Sequence, residues 1–151
     1  MPQSIYGIIQ RLVDRGGVDV SAQVDEPMRC RVAELMAPLK GQPLCHDLAV
    51  QITTILSTDR MLLALQPPRF WIHFSNPAAP PSERFLGVVV TRAISLELAI
   101  LSAALFDVHP GGQANGAELP SYLTIDNAFC DRLLSPAEAE QLTRMLDSQV
   151  N

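Results

Sequence analysis

Hydrophobic positions recur at helical spacing at both ends of this chain and change period in the middle. Ile5, Tyr6, Ile8, Ile9, Leu12 and Val13 share one face of a helix that Ser4 caps and Gly16-Gly17 closes. A short Val18-Asp19-Val20 link leads to a second cap, Asp25. Met28, Val32, Leu35, Met36 and Leu39 then line a second amphipathic helix, with Arg29, Arg31 and Glu34 outward and Pro38 and Gly41 as its terminators. Two patterns fit Leu44 to Leu65. Leu44, Leu48, Ile52, Ile55 and Leu56 make a helical face, whereas Val50, Ile52, Thr54 and Leu56 alternate as a strand would, with Ser57-Thr58-Asp59-Arg60 as a hairpin loop. We read helix through Leu56 and keep the hairpin as the alternative. Pro67-Pro68 breaks the pattern and pushes Gln66 toward an extended backbone.

The period then becomes two. Phe70, Ile72 and Phe74 fall on one side of a strand from Arg69 to Ser75, Trp71 and His73 on the other. The proline-rich Asn76-Pro77-Ala78-Ala79-Pro80-Pro81-Ser82 loop joins it, as a wide antiparallel hairpin, to a second strand. That strand, Arg84 to Arg92, carries the stiff β-branched run Val88-Val89-Val90-Thr91 and is apolar on both sides. The pattern predicts a central strand covered on both faces and not an edge. Ser95 caps the next helix, through Asp107, in which only Glu97 and Ser102 are polar between Leu96 and Phe106. A helix apolar all round has no side for water and is buried in the domain or in an interface. Its stop is assigned to Pro110, Gly111 and Gly112. Gln113 to Leu119 reads as a third strand and Pro120 to Asp131 as loop or broken turn. Ser135-Pro136-Ala137-Glu138 is a capping box with proline at the first helical position, opening a last helix that turns Ala139, Leu142 and Leu146 inward.

These elements predict an α+β fold. A small, mostly antiparallel sheet packs on a central apolar helix, with two N-terminal helices and one C-terminal helix around it. The 151 residues are expected to form one domain: a helical part over 1–40, then a strand–strand–helix core with the C-terminal helix over 69–151. No signal peptide or membrane span is legible. Cys30, Cys45 and Cys130 form no CxxC pair and leave one odd, which fits a reducing cytoplasm.

Charge is unevenly placed. Met1 to Phe106 holds nine basic and nine acidic residues. Beyond it, seven acidic residues stand against Arg132 and Arg144, which accounts for the whole net charge of −5. An acidic end lacks the clustered cations that a nucleic-acid backbone requires, but it suits a basic protein partner.

The chemistry-bearing residues give no constellation. Cys45 and His46 are neighbours in sequence, which does not bring an imidazole to a thiol. The glycine-rich stretch from His109 to Gly116 follows a helix C-terminus, where free carbonyls face any ligand, so it is a poor phosphate cradle. The same dipole end favours a protonated His109. Neither a zinc spacing nor a cofactor fingerprint occurs, and no metal or cofactor is expected.

The function expected from these features is a non-enzymatic cytoplasmic interaction module, such as an adaptor, an immunity-type inhibitor or a chaperone, engaging a protein partner or its own copy. The surface expected to do so is Leu98, Leu101 and Leu105 from the apolar helix with Glu138 and Glu140 from the acidic end. The alternative is a small-molecule-binding domain or modest enzyme with a pocket near Trp71, His73 and His109.

Overall fold

A computed structural model describes residues 5–15 and 25–150. Within them the chain is α+β, with six α-helices and a three-stranded antiparallel sheet. The helices are α1 (Ile5–Asp14), α2 (Glu26–Met36), α3 (His46–Thr58), α4 (Arg60–Ala64), α5 (Leu96–Leu105) and α6 (Pro136–Val150). The strands are β1 (Arg69–Ser75), β2 (Phe85–Arg92) and β3 (Gln113–Glu118). The expected Ser4 cap, the Gly16-Gly17 stop and the Val18–Val20 link lie outside the described residues.

The sheet order is β2-β1-β3, so β1 is central and β2 is an edge. This corrects the position expected for β2, while its two-sided burial stands. Val89 enters one apolar cluster with α1 to α5, and Val88 and Val90 enter another with Leu134 and α6. The outer edge of β2 is covered by the segment before α6. The Val88 N–H donates to Leu134 O (3.2 Å), the Leu134 N–H to Val88 O (2.7 Å) and the Asp131 N–H to Val90 O (2.8 Å). An apolar run thus reports covered faces, not rank in the sheet. Opposite β1, Phe74 faces Gly87 and Ser75 faces Phe85, which leaves Leu86 as the extra residue of a bulge.

Helix α5 begins where Ser95 Oγ accepts from the Leu98 N–H (3.1 Å). It touches α1, α3 and all three strands, and Leu98, Ala99, Ile100, Leu101 and Ala103 are buried. Burial of such side chains contributes about 1.5–3 kcal/mol for each leucine or isoleucine. The stop differs from expectation. Asp107 takes the left-handed position (φ 60°), and the Val108 and His109 N–H groups both donate to Ala103 O, in the manner of a Schellman motif. Pro110-Gly111-Gly112 instead makes the turn into β3. A short polar side chain tolerates positive φ, so Asp107 ends the helix three residues earlier.

In the ambiguous stretch the helix prevails. Cys45 Sγ accepts from the Leu48 N–H at the start of α3 (3.4 Å). Leu48, Ala49, Ile52 and Leu56 are buried together, a set that only the 3.6-residue period places on one side. Where a hairpin loop was the alternative, Asp59 joins two helices. It caps α4 through the Leu62 N–H (3.0 Å) and receives two nitrogens of Arg31 (3.2 and 2.7 Å). Those bonds hold its carboxyl below the usual carboxylate range. Gln66 is not extended. Its φ is 53°, because it closes α4, its N–H donating to Leu63 O (3.2 Å), before Pro67.

Helix α6 opens as the sequence requires. The Glu138 N–H donates to Ser135 Oγ (3.2 Å) and the Ser135 N–H donates to Glu138 Oε1 (3.1 Å). Arg132 adds an ion pair (2.6 Å), and this bond and the Ser135 N–H lower the Glu138 pKa from 4.5 to about 2. A depressed folded-state pKa stabilises the fold above the unfolded value, and the contribution disappears as pH falls from about 4.5 through about 2. Urea titrations at stepped pH are expected to show wild type losing its advantage over Arg132→Gln across that window. Parallel curves for the two proteins would contradict the assignment.

Candidate functional site

Trp71 and His73 lie on the β1 face turned toward α6, and the exposed His73 ring stands 4.8 Å from that of Phe85. His109 lies on the other face of β1, its ring 4.5 Å from Phe74. Successive strand residues point to opposite sides, so the sheet itself separates His73 from His109. The structure therefore does not gather Trp71, His73 and His109 into one pocket. Burial lowers the His109 pKa, which reverses the protonated state expected from the helix end. Its Nδ1 accepts from the Gly111 N–H (2.9 Å), a bond that belongs to the neutral ring.

The residues expected to form an interaction surface are also divided. Leu98 and Leu101 are 3% and 0% exposed and sit in the core between α5 and the sheet, with Leu105 half-buried beside it. Glu138 and Glu140 are on α6, across the sheet, held by Arg132 and Arg144 respectively (both 2.6 Å). No single partner face contains both groups. Among the described residues no helix is long and apolar enough to cross a membrane.

A concave feature lies elsewhere, around the C-terminal end of β2, with a volume of about 500 Å³. Val89, Ile94, Leu98 and Ala103 give it an apolar lining. At its mouth Leu63 of α4 and Phe106 after α5 are 51% and 57% exposed. The opposite wall is the segment from Asn127 to Asp131. A short turn, Asn127–Phe129, is capped by Asp126, whose carboxylate accepts from the Ala128 N–H (2.9 Å). Asp131 then takes φ 61°, donates its N–H to Val90 O and accepts from Thr91 Oγ1 (2.7 Å). These bonds fasten the wall to the strand.

Two arginines border the groove where it rounds the end of the sheet, their side chains leaving the strands on the face of Trp71 and Val90 and not on that of Val89. Arg69 starts β1 and Arg92 ends β2, directly opposite each other, and both line the groove. Each gives a single hydrogen bond to a main-chain carbonyl. Arg69 Nη2 reaches Leu123 O (3.0 Å) and Arg92 Nη1 reaches Pro67 O (2.7 Å). Neither makes an ion pair among the described residues, unlike Arg31, Arg132 and Arg144. Their field reaches Cys130. Burial, Asp131 and Asp126 push that thiol up while Arg69 and Arg92 pull it down, and burial dominates, which keeps the sulfur protonated.

Sequence reasoning missed this site although part of the signal was present. A hairpin joining the two strands brings the start of the first to the end of the second, and hence Arg69 to Arg92. The bulge at Leu86 shifts that register by one residue, and nothing local in the sequence marks the wall from Asn127 to Asp131 as a neighbour of β2. Comparison of the chain with protein-family models, with curated proteins and with solved structures finds no match.

Proposed function

We propose that this protein is a binding module without catalytic chemistry of its own, and that its working surface is the groove at the end of β1 and β2. The observation that carries this reading is the groove's composition. An apolar lining about 500 Å³ in volume borders two arginines that form no ion pair among the described residues. Volumes of about 300–1,000 Å³ with an apolar wall and a few convergent polar groups are typical of small-molecule sites. The two exposed side chains at the mouth, Leu63 and Phe106, extend the apolar surface outward, so a ligand meets it before entering. The one thiol in the lining, Cys130, is held in its protonated form, which suits a wall better than a nucleophile.

Of the two functions expected from sequence, this reading follows the small-molecule alternative and moves its site. The interaction-module reading loses its chief motive, because the faces of α5 that were to meet a partner are covered by the chain's own sheet and helices.

The groove is tested with the neutral fluorescent probe N-phenyl-1-naphthylamine. Wild type is expected to enhance its emission saturably. Ser102→Phe, which places a ring in the groove from a half-buried position on α5, is expected to abolish the enhancement while the protein still unfolds cooperatively. Equal probe binding by a folded Ser102→Phe protein, or none by wild type, would remove the groove as the working surface.

A further inference from the structure

We infer that the groove takes a small molecule with an apolar body and one carboxylate, and that Arg69 and Arg92 together hold the carboxylate. This rests on the groove reading above and adds the chemical class of the ligand. Like charges directly opposite each other on neighbouring strands repel and destabilise the pair. The chain nevertheless places two arginines there, and both are held by main-chain carbonyls, as Arg84 is, and not by the carboxylates that meet Arg31 and Arg132. Neither Arg69 nor Arg92 forms an ion pair among the described residues, and the carboxylate that lines the same groove, Asp131, bonds to Thr91 Oγ1.

Both guanidiniums are oriented without being used up. A single main-chain carbonyl anchors each, through one terminal nitrogen, and the remaining N–H donors are left for a ligand. Guanidinium donors in a fixed fork match the two oxygens of a carboxylate.

Asp131 sets the ligand's charge. The two guanidiniums share this end of the groove with Asp131, and Asp126 also acts on Cys130 beside them, so little net positive charge is left there in a chain whose net charge is −5. Asp131 already accepts from Thr91 Oγ1, which uses part of its accepting capacity. Repulsion from Asp131 and Asp126 grows with ligand charge, so a monoanion is favoured over a dianion such as a phosphate monoester. The apolar lining from Val89 to Ala103 receives the uncharged body of the same molecule.

The test is displacement of N-phenyl-1-naphthylamine from the full chain by decanoate, decan-1-ol and decyl phosphate at low ionic strength, where charge effects are least screened. Decanoate is expected to displace the probe at a concentration about tenfold or more below that of decan-1-ol, the size of a charge-assisted hydrogen bond. Arg92→Gln and Arg69→Gln are each expected to erase that preference by weakening decanoate alone. Arg92→Lys, which keeps the charge and removes the fork, restores only part of it and guards against a loss that is merely structural.

Equal displacement by decanoate and decan-1-ol would overturn the guanidinium clamp and leave the groove in place. Stronger displacement by decyl phosphate would overturn the monocarboxylate assignment. Failure of all three against a probe that Ser102→Phe excludes would overturn the assignment of a carboxylate with an apolar body and leave the groove reading in place. A wild-type protein that never binds the probe would instead defeat the groove reading on which the inference stands.

Discussion

Phe74→Ala is expected to lower the unfolding free energy by about 3–5 kcal/mol, the range for truncating a fully buried phenylalanine. Phe74 is 0% exposed and belongs to the central strand, among the large side chains sealed between the sheet and helices α1 to α5. Removing the ring leaves a void that its β-strand and helix neighbours cannot close without breaking the sheet. In a chain of this size that loss corresponds to roughly 10 °C in the melting temperature. A second readout follows from geometry. The Phe74 ring lies 4.5 Å from that of His109, whose pKa is lowered by burial. With the ring gone, water reaches the imidazole, and its pKa, followed by NMR, is expected to rise toward 6.5. A melting temperature within two or three degrees of wild type would show that Phe74 is not sealed in a close-packed core.

Gly87→Ala carries the second-largest effect, about 3 kcal/mol, from backbone strain and steric overlap together. Gly87 has φ 141°, a conformation that L side chains rarely adopt, and sits beside the bulge in β2. A Cβ there would stand 2.6 Å from Leu134 O and 2.7 Å from Leu133 Cδ1. The backbone oxygen cannot turn aside, so the segment from Asp131 to Leu134 must lift from the strand edge. Hydrogen exchange is expected to reveal this locally. The Val88 and Leu134 amides, which bond to each other's carbonyls, should exchange faster, while the β1 amides keep their protection. The groove wall ends in the same segment, so probe binding is expected to weaken as well. Uniform acceleration across the sheet would point to global destabilisation in place of a lifted edge.

Local signals of high specificity carried through to the structure. Ser95 and Asp25 cap the helices they precede, and the Ser135–Glu138 box closes on itself with both of its hydrogen bonds. The alternation of Phe70, Ile72 and Phe74 marks the buried side of β1. Each of these depends on residues within about four positions of one another, where chain geometry leaves few options. The departures have a common cause. Asp107 and Gln66 take positive φ because the helices before them need a left-handed residue to close, and composition alone pointed to the nearby glycines and prolines. His109 loses its expected charge state because a strand far away in sequence brings Phe74 onto its ring.

The candidate site shows the same division more sharply. That Arg69 and Arg92 terminate strands is legible in the sequence, and that Leu96–Leu105 forms a helix packed into the core is dictated by the absence of any polar stripe. The histidines and the Leu98–Leu101 face drew attention for their chemistry, yet the pleat of β1 and the cover over α5 disperse them.

By itself, the sequence determined most of the helices and strands, the caps at Asp25, Ser95 and Ser135 and which faces are apolar, because hydrogen bonding and side-chain periodicity act over short spans; it left residues 44–65 open between helix and hairpin. Tertiary structure alone decided that β1 is central, that the segment before α6 covers the β2 edge, and that two arginines meet beside an apolar groove. The reason is physical: strand order and edge cover are set by contacts between residues tens of positions apart, and apolar patterning records that a face is buried without recording what buries it.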